Sequence, residues 1–284
     1  MSEFLPTGDF RWIDSPEEKE KFTLSFIQNL SDTSEKSHFY EVDISYPEKL
    51  HDSHNTFPLR PHHKNIEPRH LSKYQNKLAE KLNLKIGGKK LVTTFDETKS
   101  YVCHQRNLKQ YIELGLEVTK IHRVLEFSQS KWLEPYISKN TQLRQQAQME
   151  GAQDMVDFAK LMNNSGKLSL SLFLPHTHFF ISVYGKTVEN VKAYRDIRLC
   201  FSEKSFKKHS RKPNFSRGCI YSENNFSAVE LKPLSVTLNK PRYVGVTVLC
   251  LAKWIMYDFH YKTICDTFKG DSVKLLFTDT DSLW

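Results

Sequence analysis

A mixed α+β fold is what this sequence predicts, and three observations carry the prediction. Apolar residues recur at helical spacing in some stretches and alternate at strand spacing in others, interleaved along the chain. No segment repeats another, so a solenoid or propeller is excluded. With 39% hydrophobic residues and 19 Phe and 12 Tyr among them, 284 residues can bury one large core or two modest ones.

Taken in order, the stretch up to about Arg60 mixes short apolar patches with Pro, Asp and Ser and reads as loops and short strands. Pro68 to Leu82 fits a helix that ends before Gly87 and Gly88, and Lys90-Leu-Val-Thr-Thr-Phe95 fits a strand. Arg106 to Leu114 is amphipathic and is closed by Gly115, a C-terminal cap signal. Val118 to Phe127 alternates as a strand does. Between Trp132 and Asn164, Leu133, Tyr136 and Ile137 and then Met155, Phe158, Ala159 and Met162 mark two helices. Short strands follow Asn190, punctuated by Pro213 and Pro233. Tyr243 to Phe259 reads as a largely apolar helix and Val273 to Phe277 as a buried strand.

The net charge of +8 and a pI near 9.1 favour a polyanionic partner, because each Lys or Arg set against a phosphate releases counterions. Only 10 Gly argue against a Gly-rich nucleotide loop. The five cysteines, Cys103, Cys200, Cys219, Cys250 and Cys265, include no C-x-x-C pair, which suits buried thiols in a reduced, intracellular protein. Met1-Ser-Glu-Phe-Leu-Pro lacks the basic and apolar regions of a signal peptide. The best apolar run, Val244 to Ala252, stops at Lys253 and is too short to span a membrane. A soluble protein is expected.

The strongest local signal is Lys274-Leu-Leu-Phe-Thr-Asp-Thr-Asp-Ser-Leu-Trp284. A hydrophobic strand delivers Asp279 and Asp281 to a turn, where two carboxylates can converge on one cation of the kind two-metal phosphoryl transfer uses. The same spacing also fits a solvated hairpin with Asp as turn former. His51, His54, His62, His63 and His70 leave a similar choice between a metal site and ordinary surface or core histidines; no Cys lies near them.

Phe277-Thr-Asp-Thr-Asp-Ser282 resembles motif C of family B DNA polymerases, Y-x-D-T-D-S, with Phe in place of Tyr. Lys160-Leu-Met-Asn-Asn-Ser165 resembles the first half of motif B, K-L-x-x-N-S-x-Y-G, and Val183-Tyr-Gly-Lys-Thr-Val-Glu-Asn190 its second half. Tyr101-Val-Cys-His-Gln-Arg-Asn-Leu-Lys109, Ile121-His-Arg-Val-Leu125, Trp132-Leu-Glu-Pro-Tyr136, Leu238-Asn-Lys-Pro-Arg-Tyr-Val-Gly245 and Met256-Tyr-Asp-Phe-His-Tyr261 are similar to the protein-primed branch. That branch includes the polymerases of Polinton (Maverick) elements and related viruses and linear plasmids.

The resemblance implies part of a polymerase palm, an antiparallel sheet with helices, together with helical fingers. Residues 1–127 would be the palm-associated region after motif A, 128–191 the fingers helices with motif B, and 192–284 the palm region ending in motif C. It implies that Lys160, Asn164 and Tyr184 bind the incoming nucleotide, and that Gly185 and Lys186 lie at the template. Asp281, supported by Asp279, would be the catalytic carboxylate holding Mg²⁺. The partners implied are a DNA primer-template, deoxynucleoside triphosphates and a terminal priming protein, at an intracellular site of replication such as the nucleus or a viral or element replication site. The alternative is a non-catalytic nucleic-acid-binding remnant of a mobile-element polymerase.

Three departures qualify this pattern. Met1-Ser-Glu-Phe-Leu-Pro-Thr-Gly-Asp-Phe-Arg-Trp12 is similar to the segment that follows motif A, so Met1 reads as an internal methionine and the chain as a truncated, inactive fragment. Asp43-Ile-Ser-Tyr-Pro47 mimics motif A but is one residue short, and reads as a decoy. Motif B is split by 17 residues, 166–182, whose Leu, Ser, Phe and Pro are what pyrimidine-rich codons encode. Gly166-Lys can be read from a splice donor and Ser182-Val from an acceptor, so a retained intron is expected there rather than a true loop. In addition, Gln145, Gln146 and Gln148 stand where the fingers usually carry more Lys and Arg.

Overall fold

The computed structural model describes residues 2–164, 183–221, 226–268, 273–279 and 282–284; the segment 166–182 that splits motif B lies outside them. Along the chain run β1 (Leu5–Ile13), α1 (Pro16–Glu20), α2 (Leu24–Asn29), β2 (Lys36–Ser45), β3 (His62–Ile66), α3 (Lys73–Lys81), β4 (Gly88–Val92), β5 (Thr98–His104), α4 (Gln105–Glu113) and β6 (Glu117–Ser130). After them come α5 (Glu134–Met149), α6 (Gln153–Asn164), α7 (Val183–Thr187), β7 (Asp196–Cys200), α8 (Glu203–Ser210), β8 (Phe215–Ile220), β9 (Ser227–Leu231) and α9 (Arg242–Asp258). A π-helical turn, Phe259–Ile264, continues α9, and the hairpin β10 (Thr278–Asp279) and β11 (Ser282–Leu283) follows. The fold is α+β.

The chain divides into two units, 1–139 with 247–284 and 140–246, and passes between them within α5 and within α9. The first is built on an antiparallel sheet of order β1-β6-β2-β5. Its core gathers Tyr40, Val42, Ile44, Cys103, Leu108, Tyr111, Val124 and, from α9 and its π-helical end, Tyr257 and Tyr261. The first sixty residues therefore supply two long strands, β1 at the edge of the sheet and β2 inside it, where loops and short strands are predicted. In β2 the buried His38, Tyr40, Val42 and Ile44 alternate with Glu41 and Asp43, whose carboxylates face Arg123 and His122 on β6. Those polar residues make cross-strand pairs here and form no turn.

Helix α4 ends as predicted. Gly115 at φ 94 follows its C-cap Leu114, the Gly115 N–H donates to Ile112 O and the Leu116 N–H to Tyr111 O, which is the glycine-ended Schellman closure. Several of its polar residues do not face water. Asn107 Nδ2 donates to Cys250 O at 2.9 Å and Gln110 Nε2 to Trp254 O at 2.9 Å, so the two buried amides tie α4 to α9. Two segments similar to the protein-primed branch, Tyr101–Lys109 and Met256–Tyr261, thus sit in one core. All five cysteines are unpaired thiols, with Cys103 and Cys200 buried. Among the described residues, no helix is long and apolar enough to cross a membrane.

Two buried histidines should make this unit acid-sensitive. His104, 1% exposed, caps α4 by accepting the Arg106 N–H at 3.3 Å, and burial pulls its pKa down to about 3. His54 Nδ1 lies 2.6 Å from the Tyr46 hydroxyl, and burial pulls it down to about 4. Both stay neutral in the fold while the unfolded chain protonates near the ordinary histidine pKa of about 6.5. The unfolded state then binds more protons, so stability present above that pH is lost as pH falls towards the folded values. His104 alone should remove about 2 kcal/mol between pH 7 and pH 5. Thermal melts at the two pH values should show the drop, and His104→Asn, which keeps a capping side chain, should flatten it.

The second unit holds an antiparallel three-stranded sheet, order β7-β9-β8, with α8 on one face. Phe206 of α8 packs on Cys200, Val229 and Leu231. Helix α6 turns Val156 and Ala159 inward and leaves Lys160 exposed.

Candidate functional site

The two segments that resemble the halves of motif B meet within the second unit. Helix α7 packs against α6, so the two halves of the pattern meet in space although they are separated in sequence. Lys160 stands on the outer face of α6, Asn164 is the last residue of that helix, and Tyr184 and Gly185 lie in the short α7. Only the backbone of Asn164 and Tyr184 is described.

Contacts absent from the sequence reading fix α7 in place. Lys186 Nζ pairs with Glu189 Oε1 at 2.6 Å, and Lys240 Nζ reaches Glu189 Oε2 at 3.0 Å. Hydrogen bonds from Lys186, Tyr194 and Lys240 hold the Glu189 carboxyl down to about 2. Lys186, assigned to the template by resemblance, is thus engaged with Glu189; with Lys240, two cations share one carboxylate. A Cβ placed on Gly245, in the first turns of α9, would fall inside contact distance of Val188 Cγ1 and Thr187 Oγ1. Glycine is what lets α7 and α9 approach this closely. The signal available in sequence was a lone Gly inside a helical pattern, which marks a close approach only once the neighbour is known.

In the first unit, Thr278 pairs with Leu283 and Asp279 with Ser282 in the antiparallel β10–β11 hairpin. Ser282 Oγ donates to Asp279 O at 2.9 Å, and the Phe277 and Trp284 rings stack 5.7 Å apart at 11°. Asp279 is exposed; Asp281 lies outside the described residues. Leu283 and Trp284 border a cavity of about 230 Å³ that His260, Cys265 and Phe268 also line, so the hairpin sits over the π-helical end of α9. The predicted buried strand Val273–Phe277 is instead exposed and irregular, with Leu276 78% and Phe277 56% exposed. Among the described residues it has only the hairpin to bond with, through Leu276 N–H and Phe277 N–H to Trp284 O, and no strand flanks it on the other side. Carboxylate oxygens suit a divalent cation. Even so, no three potential His, Cys, Asp or Glu ligands gather among the described residues, so Asp279 alone does not make a metal centre.

The histidine-rich segment is put to structural use. His51 stacks on Phe95 at 4.3 Å, His54 meets Tyr46, and His70 Nδ1 accepts the Glu67 N–H at 3.0 Å.

Residues 5–168, more than half of the chain, match the model of DNA polymerase type B, organellar and viral. The chain belongs to that family. No curated protein and no solved structure matches it. The family is one of DNA-directed DNA polymerases, which implies a DNA template and deoxynucleoside triphosphates as partners, and its members use divalent metals. The matched stretch includes Lys160 and Asn164 and ends before Tyr184 and the Asp279–Asp281 pair.

In this member of the type B family, Asp43 has the surroundings of a structural residue. Its Oδ1 accepts the Ser100 N–H at 2.8 Å and lies 2.7 Å from His122 Nε2, and those bonds hold its carboxyl below the usual range. The Ser100 backbone, at φ 51, is held by that acceptor. Asp43→Ala should therefore lower the Tm by a few degrees while leaving DNA binding and any nucleotide addition intact. Loss of nucleotide addition without loss of Tm would instead make Asp43 a catalytic carboxylate.

Proposed function

We propose that this chain carries the nucleotide-selecting and motif C portions of a protein-primed DNA polymerase that adds deoxynucleotides to a primer 3′ hydroxyl. The observation that supports this most is the packing of α7 on α6. A continuous motif B needs its Lys- and Tyr-Gly-bearing parts side by side, and here they are adjacent across the 166–182 segment. In this reading the exposed Lys160 neutralises the triphosphate as a point charge on a helix, and Asn164 and Tyr184 contact the incoming nucleotide and nascent pair. Gly185 and Lys186 face the template. Asp281, with Asp279, would hold Mg²⁺, which when bound stabilises charge on the phosphoryl oxygens. The Tyr101–Lys109, Leu238–Gly245 and Met256–Tyr261 segments support the protein-primed branch, and with it a terminal priming protein and a mobile or viral element as source.

The 284 residues contain no D-x-N-N-L-Y-G segment, and two-metal transfer draws carboxylates from both palm motifs. The chain by itself is therefore proposed to bind primer-template without extending it. Primer extension decides between this and a non-catalytic remnant, the reading that the split motif B and the +8 charge favour. The experiment compares the 284-residue chain with a version that lacks residues 166–182 and has a motif A segment of the family joined ahead of Met1. Extension by the second alone supports a polymerase. Salt-dependent DNA binding without extension by either supports the remnant.

A further inference from the structure

The three-stranded sheet of the second unit has one covered face and one bare face. On the covered face Phe206 approaches Gly218 so closely that a Cβ there would fall 2.7 Å from the ring. Register fixes the other face. Leu199 and Cys219 both pair with Ala228, and Ile197 and Arg217 both pair with Glu230. By strand alternation Phe201 extends the first row and Tyr221 the third, while Phe226, whose carbonyl accepts the Tyr221 N–H at 2.9 Å, extends the middle one. Three aromatic rings therefore meet at one end. The Phe226 centroid lies 5.5 Å from Phe201 and 5.5 Å from Tyr221, with the planes tilted by 31° and 33°. Phe201 is 72% and Tyr221 63% exposed, and Ile197 and Leu199 beside them are bare as well.

Positive charge lies at one end of this face and, on α8, behind the sheet. At the end away from the rings, Arg195 and Arg217 both pair with Glu230, at 3.0 and 2.7 Å, two cations on one carboxylate. Residues 195–232 carry nine basic and four acidic side chains, a net +5 of the chain's +8. An open apolar face of this kind marks an interaction site, and its charge selects an acidic polymer as occupant. Exposed rings at one end of a face and arginines at the other suit planar, apolar units strung on phosphates. A duplex keeps its base faces stacked on one another and offers them to no ring; an unpaired strand does offer them.

We propose that this sheet face binds an unpaired DNA strand, with bases stacked on Phe201, Tyr221 and Phe226 and phosphates near Arg195 and Arg217. Lys204, Lys207 and Lys208 of α8 strengthen the field that draws the strand in. The site uses none of the residues assigned to nucleotide addition, so its failure and the failure of the polymerase reading are separable.

Fluorescence anisotropy on the full chain, with a labelled dT oligonucleotide of about 15 nucleotides and a duplex of equal length, tests it. Single strands should bind about tenfold more tightly than duplex, and Phe201→Ala with Tyr221→Ala should weaken single-strand binding by about tenfold or more while sparing duplex binding. Both side chains are exposed, so an unchanged Tm should show that the double variant remains folded. Replacing Lys204, Lys207 and Lys208 by Gln should reduce the salt slope for both DNAs and leave the single-strand preference in place. Equal affinity for the two DNAs, or single-strand affinity that survives loss of both rings, overturns the proposal. So does a chain that self-associates through this face, with the double variant becoming monomeric while its DNA binding is unchanged.

Discussion

Asp281→Asn should abolish primer extension in the protein to which a family motif A segment has been joined and from which residues 166–182 have been removed, and should leave primer-template affinity largely intact. The amide keeps the shape of the side chain and removes the negative charge, so its oxygen no longer offsets a divalent cation; losses of about 10³-fold or more are expected for a ligand of this kind. Lys160→Ala should act differently. Lys160 is exposed on α6, and its proposed partner is the triphosphate, where a charge-assisted contact contributes about 2–3 kcal/mol. Single-nucleotide incorporation should show kcat/KM for the nucleotide falling by about 10²-fold, with primer-template Kd little changed. Unchanged extension by Asp281→Asn would falsify the motif C assignment. A Lys160→Ala variant that loses DNA affinity and keeps its nucleotide KM would move that lysine from the triphosphate to the duplex.

What could be read in the sequence depended on whether an element's surroundings were written in its own residues. Helix α4, β6, α9 and the Gly115 closure follow from local periodicity and cap chemistry, and they appear where predicted. The hairpin at Asp279 follows from turn chemistry alone. Strand β1 was hidden because Gly8 and Asp9, at φ 156 and 54, accompany register shifts that break its alternation. Strand β2 was hidden because Glu41 and Asp43 look like loop formers until Arg123 and His122 are seen opposite them. The amphipathic pattern of α4 does not tell where its polar side lies: Asn107 and Gln110 are buried on carbonyls of α9 more than 140 residues away. In the candidate site, motif spacing singled out Lys160 and the Tyr184-Gly185 pair. It gave no hint that Glu189, Lys240 and Gly245 would hold α7, because each acts on a neighbour distant in sequence or ordinary in type.

Gly245→Val should therefore damage both stability and nucleotide use, although Gly245 belongs to neither proposed motif. Any Cβ at that position meets Val188 Cγ1 and Thr187 Oγ1, and the added methyl groups of Val deepen the clash. Overpacking of this kind costs about 1–3 kcal/mol, and relief requires α7 to move away from α9. Helix α7 carries Tyr184 and Gly185 and packs on the helix that bears Lys160, so the shift should raise the nucleotide KM as well as lower the Tm. Gly245→Ala should do the same to a smaller degree. Space can be returned from the other side: adding Val188→Ala to Gly245→Ala removes one of the two clashing groups and should recover part of both losses. Recovery of Tm and KM together in that cycle ties nucleotide use to the seat of α7 on α9. Recovery of Tm with the KM still raised would mean that Gly245 serves the fold alone, and that α7 reaches the nucleotide by some other support.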